Sequence, residues 1–179
     1  NILDAVTGVA VFDFATVSLD TCSITNNGML GIGIYQNSHV EITGCKVWDN
    51  GSGIRSYDSD VTIRESSVRY NGQFGIHAGG ASEPDLDIEN SHVSNNIEGF
   101  RLTDSARPRV KNCAIFLNEA GTFKYAVRLD SYTGGGVLDF ESNFWGMTDA
   151  PSIAAMMSLG GGNATVDFDP WLNESPVPE

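Results

Sequence analysis

Asparagine recurs along this chain at a spacing that few folds can accommodate. Asn27, Asn50, Asn71, Asn96 and Asn118 are separated by 23, 21, 25 and 22 residues. Glycine follows the first three, and a small residue followed by an apolar one comes shortly after each. These pairs are Gly33-Ile34, Gly53-Ile54, Gly75-Ile76, Gly99-Phe100 and Ala126-Val127, with Ala10-Val11 as the counterpart in the first copy. A second apolar pair sits mid-repeat, as Val17/Leu19, Val40/Ile42, Val61/Ile63 and Leu86/Ile88. A third mark is a small residue two places before an apolar one: Cys22/Ile24, Cys45/Val47, Ser66/Val68, Ser91/Val93 and Cys113/Ile115. Fixed-period self-similarity of this kind signals a repeat architecture. Each unit holds three short segments of period 2 between Gly, Asn, Asp and Ser turns, and none is long enough for a helix. Three brief strands per period describe one coil of a parallel β-helix, each strand pairing with its counterpart one coil later. The interval varies because a turn absorbs insertions such as "AGGASEPD" at 78–85, whereas the strands must keep register. Asn and Gly are expected at the corner because both tolerate the left-handed conformation of a sharp turn.

The cysteines fall into the same frame. Cys22, Cys45 and Cys113 share a slot that serine fills in other copies, so they are expected to be small buried core residues. Cys22 and Cys45 lie in consecutive coils, where a disulfide is geometrically conceivable but not required. No CxxC or His-paired spacing suggests zinc. Lys+Arg 10 against Asp+Glu 23 gives a net charge of −13, which repels nucleic acid phosphates and anionic membranes. No apolar stretch approaches the roughly 18 residues that span a bilayer. Neither nucleic acid nor membrane insertion is therefore expected, and a polysaccharide or another protein is left as partner.

The C-terminal part changes character. "SNFWGMTDAPSIAAMM" and "ATVDFDPWL" follow the last repeat, and the chain divides into coils over 1–146, a cap over 147–172 and a linker or tail over 173–179. In the cap, Asp149 can start a helix over about 150–159, with Pro151 in its first turn and Gly160 as its stop. A strand follows over about 164–168. Ile153, Met156, Met157 and Leu159, with Phe168 and Trp171, are expected to cover the last coil, whose apolar layer and strand edges would otherwise be bare. No such lid precedes the opening "NILDAVTGVAVFDF". Further coils of a parent protein, or another chain in contact with that uncapped end, are expected there.

From about residue 5 to 145 the repeats resemble the right-handed parallel β-helix proteins, the pectate-lyase-like superfamily with its generic β-helix repeats. Phe144, Trp145, Gly146, Val166, Phe168, Pro170 and Trp171 resemble the closing segment of bacterial extracellular members. The resemblance implies an all-β, single-stranded right-handed parallel β-helix of about six coils with a C-terminal capping helix and strand. It implies an extracellular or cell-surface location. It leaves activity open, because the superfamily spans lyases, hydrolases, epimerases and adhesins.

One surface draws the functional expectation. With Ile34 and its equivalents facing inward, the next residues face out: Phe12, Tyr35, Arg55, His77, Arg101 and Arg128. At about 4.8 Å per coil they form a file about 25 Å long, and it takes three of the seven arginines. Ala10, Gly33, Gly53, Gly75, Gly99 and Ala126 are expected to leave a bare trough beside it. Such a face suits non-catalytic binding of an acidic polysaccharide by Tyr35, Arg55, His77, Arg101 and Arg128, arginine forking onto carboxylates and rings stacking on sugars. The same residues also fit exposed strand positions with no ligand, and His39 and His92 fit solvated surface positions. Two further readings stay open: a structural or adhesive spacer, and a fragment of a polysaccharide lyase or epimerase. No catalytic set is assigned. In the lyase reading, the resemblance makes Arg101 or Arg128 the base and Asp104 and Asp130 calcium ligands. Asp58 and Asp60 are the other acidic turn residues that could gather calcium, a cation that needs six to eight oxygens. No other cofactor is expected.

Overall fold

Val40, Ile42, Val61, Ile63, Leu86 and Ile88 alternate with polar neighbours in strands that pair in parallel, each with the strand one coil away. The same rule holds for every strand pair, which gives three parallel sheets wrapped around one apolar interior. The computed structural model describes residues 1–118, 125–160 and 163–178. Parts of the expected last coil (119–124) and of the cap and tail (161–162 and 179) lie outside them.

Sheet I has six strands: Ile2–Leu3, Ser23–Thr25, Lys46–Trp48, Ser67–Arg69, His92–Ser94 and Ala114–Phe116. Sheet II has seven: Thr7–Val11, Leu30–Ile34, Ser52–Tyr57, Phe74–Gly79, Glu98–Asp104, Tyr125–Tyr132 and Met157–Ser158. Sheet III has seven: Thr16–Asp20, His39–Thr43, Asp60–Arg64, Asp85–Glu89, Arg107–Lys111, Gly136–Asp139 and Ala164–Asp167. Like residues stack in columns down the interior. Ile24, Val47, Val68, Val93 and Ile115 form one, all at 0% exposure. Burying each such side chain is worth about 1.5–3 kcal/mol.

The repeated asparagine is a buried ladder. Asn27, Asn50, Asn71, Asn96 and Asn118 lie inside the corner between sheets I and II. The Asn71 Oδ1 accepts from the Asn50 backbone N–H (3.2 Å) and side-chain amide (3.1 Å), and Asn96 does the same for Asn71. The left-handed residue at this corner is not the asparagine, as expected, but the one before it: Asn26, Asp49, Tyr70, Asn95 and Leu117 have φ of 53–58°. A left-handed residue turns the chain, and the next side chain then points inward and is held by the coil below. The corner between sheets III and I repeats the device with shorter side chains. Glu65, at φ 51°, precedes Ser66, whose Oγ accepts from the Cys45 N–H at 3.0 Å. Cys45 Sγ takes the Cys22 N–H in turn, and Asn143 takes that of Cys113. The three cysteines are free thiols, Cys45 and Cys113 buried and Cys22 half-buried. The ladder is what requires a small acceptor there. Burial pushes the Cys113 thiol up to about 12, so it stays protonated.

The cap is shorter than expected in its helix. Asp149 accepts from the Ser152 N–H at 2.9 Å and Pro151 sits in the first turn, but the helix spans only Ala150–Ala154. Met157–Ser158 then turns extended and adds to the edge of sheet II, because parallel pairing satisfies backbone groups that a longer helix would leave the edge without. Trp145, Phe140 and Ile153 close the interior. Beyond the cap, the segment expected to be a linker lies back along sheet I, where the His92 Nε2 and the Val177 carbonyl are 3.1 Å apart. His92 is consequently buried rather than solvated, whereas His39 is exposed.

A candidate ligand-binding face on sheet II

The outward face of sheet II is set by its corner glycines. At Gly53 a Cβ would stand on the Gly75 carbonyl and 3.0 Å from the Asn71 amide, and Gly75 and Gly99 face the ladder in the same way. These glycines therefore face inward and leave no trough. The residue before each faces out instead, so that Phe74 and Glu98 occupy the space beside the arginine file.

The register corrects the file as well. Gly33 pairs with Arg55, and His77, Arg101 and Arg128 continue the row. Gly31-Ile32, not Gly33-Ile34, is the equivalent of Gly53-Ile54. Tyr35 belongs two residues further along, beside Phe12, whose ring stacks on it at 5.1 Å and 15°. It folds back over Gly33, where a Cβ would lie 2.9 Å from its ring. Tyr35 thus borders the arginine row without being part of it.

Within the row the four charged or polar members have different fates. Glu98, only 5% exposed, accepts from Arg101 Nε (2.7 Å) and Nη2 (3.0 Å) and from Arg128 Nη1 (2.7 Å). Burial would raise its pKa, but those charge-assisted bonds overcome it and hold the carboxyl below the usual range. The same bonds hold Arg101 above its ordinary value. Arg128 also has Asp130 at 3.7 Å. Arg55 has no such partner among the described residues. Its guanidinium lies 5.2 Å over the Phe74 ring, and its Nε is buried with nothing to bond. His77, next to it in register, stands edge-on to Phe74 at 5.0 Å and Tyr57 at 5.5 Å. Burial, then the charges of Arg55 and Arg101, lower its pKa from 6.5 to about 4, so the ring is neutral at pH 7.

Glu98 is the residue the sequence reading missed. Its signal was present in the three-residue spacing to Arg101, but strict alternation put Gly99 on the outer face. The acidic calcium candidates are each engaged within the chain. Asp58 accepts from Ser82, Asp60 from the Asp85 N–H, and Asp104 from Gly80 and Thr103, while Asp130 lies against Arg128. Among the described residues no three His, Cys, Asp or Glu side chains are grouped as a metal would need.

Residues 1–115 match the family described as "Right handed beta helix region". No curated protein matches the chain, and no solved structure does.

Proposed function

This chain belongs to the right-handed β-helix family, and on that scaffold we propose a non-catalytic domain, extracellular or at the cell surface, that binds an acidic polysaccharide along sheet II. The observation that supports it most is Arg55: a half-buried cation with an unpaired Nε, bordered by the rings of Phe74 and the adjacent His77. A sheet of short, parallel, evenly spaced strands offers an extended ligand a rigid base. Catalysis is disfavoured by Glu98, which keeps Arg101 firmly a cation and occupies Arg128. An arginine in that state is a poor proton acceptor.

The test is an array of neutral and acidic polysaccharides probed with the wild-type protein and with Arg55→Ala. Binding to acidic members that drops about tenfold or more on substitution is expected. Uniform silence, or binding indifferent to Arg55, would remove the reading. A second reading, contact with another protein, draws on the exposed Leu3, Val6 and Phe14 of the first coil (48, 68 and 75% exposed).

A further inference from the structure

We propose that this face reads one acidic sugar at a time, a single hydroxylated carboxylate unit within an otherwise neutral glycan, through a donor–acceptor pair made by Arg55 and His77. The proposal rests on the glycan-binding reading and narrows it.

Counting three arginines on one face suggests a polyanion with an acid group on every sugar. The hydrogen bonds argue otherwise. Arg101 and Arg128 already share Glu98, and Asp130 lies beside Arg128. A ligand carboxylate would have to displace the buried Glu98 carboxylate from two charge-assisted bonds at Arg101 or from one at Arg128, and each of those is about twice as strong as a neutral one. Arg55 requires no displacement. It carries no carboxylate among the described residues, and a ligand carboxylate that reached its buried Nε–H would satisfy a donor that is now unpaired.

His77 supplies the second half of the pair, and its tautomer follows from its neighbours. Asp104 Oδ2 lies 3.1 Å from the Thr103 hydroxyl. That bond uses the single Thr103 proton, the hydroxyl donating to the carboxylate. The His77 Nε2, 3.4 Å from the same Thr103 oxygen, must then be the protonated nitrogen, and the Tyr57 hydroxyl at 3.3 Å donates to that oxygen too. Nδ1 is left as a bare lone pair, buried and without a partner. An acceptor of that kind is answered by a hydroxyl. Arg55 and His77 are paired in register and both pack on Phe74, so the unpaired donor and the unpaired acceptor belong to adjacent side chains. Carboxylate and neighbouring hydroxyl are the two groups an acidic sugar carries together.

The experiment is calorimetric titration at pH 7 with three probes of equal length. They are an oligosaccharide with one glucuronate among neutral hexoses, its carboxyl-reduced form, and an oligogalacturonate. Binding of the first is expected, with a loss of about tenfold or more on carboxyl reduction and no gain for the oligogalacturonate. Arg55→Lys, which keeps the charge and loses the fork, should cost about tenfold. His77→Phe should weaken binding less, while Arg101→Gln leaves it within about twofold. Nitrogen-15 spectra of the free protein should show His77 protonated at Nε2 and bare at Nδ1. Affinity that climbs with each added uronate, or falls with Arg101→Gln, overturns the single-unit assignment and leaves the glycan face standing. So does equal binding of the reduced probe, or a protonated Nδ1. Silence with all three sugars removes both readings.

Discussion

His77 ties the stability of the fold to pH. It is 7% exposed and faces Arg55, Arg101, Tyr57, Phe74 and Thr103, with Glu98 and Asp130 acting from the next coils. Its folded pKa of about 4 lies below the ordinary 6.5, so between those values the unfolded chain binds a proton that the folded chain refuses. Stability from the neutral ring is therefore complete above the unfolded value and drains away as pH falls toward 4, by about 2–3 kcal/mol. Glu98, held below the usual carboxylate range, adds a loss of its own as pH falls past the unfolded glutamate value and through its lowered one. Urea unfolding at pH 7 and pH 4.5 should differ by about 2 kcal/mol less in His77→Gln than in the wild type; an unchanged difference would place the titration elsewhere. The residue itself was legible in the sequence, and so were Arg55, Arg101 and Arg128 as one row. Tyr35 was misplaced because "LGIGI" offers two Gly-Ile pairs. The offset from the preceding asparagine separates them: Gly53, Gly75 and Gly99 follow theirs by three or four residues, as Gly31 does and Gly33 does not.

At the scale of the element, the corner rather than the strand specifies the coil. The strands are two to eight residues long, too short to hold register alone, and the ladder residues lock each coil to the next. The period of the asparagines was readable from sequence, but their role was not. An Asn-Gly pair suits a tight left-handed turn as well as a buried amide, and only the coil below distinguishes the two. Tyr70 and Leu117, poor residues for φ near 55°, show that the asparagine that follows is the stricter requirement. Asn71→Ala removes the acceptor of two Asn50 donors and the donor to the Val47 and Asn96 oxygens, all buried. A loss of about 2–4 kcal/mol is expected in the unfolding free energy, since stranded groups carry their full desolvation cost. Tyr70→Asn, at the exposed left-handed position, should be neutral or stabilising in the same assay. A near-zero effect of Asn71→Ala would mean that strand pairing, not the ladder, holds the coils.

For the whole molecule, a stack in which each coil touches only its neighbours makes the effect of a substitution depend on its distance from the ends. The last corner is built like the others: Ser142 is left-handed, Asn143 accepts from Cys113, and Trp145 turns inward over Phe140 and Ile153. The "SNFW" segment is therefore both the final rung and the start of the lid, which is why its aromatic residues resembled a terminator in the sequence. Trp145→Ala should remove about 3–5 kcal/mol of packing, but not evenly. Hydrogen exchange should rise most in Tyr125–Tyr132 and Glu98–Asp104, the sheet II strands nearest the cap, and much less in Ser52–Tyr57 and the strands beyond it. The Arg101–Glu98–Arg128 cluster lies on those loosened strands, whereas Arg55 lies beyond them. Carboxylate binding at Arg55 should therefore survive the loss of Trp145 even as the far end frays. Uniform loss of protection along all three sheets would instead mean that the coils unfold as one unit, with the lid setting the stability of the site.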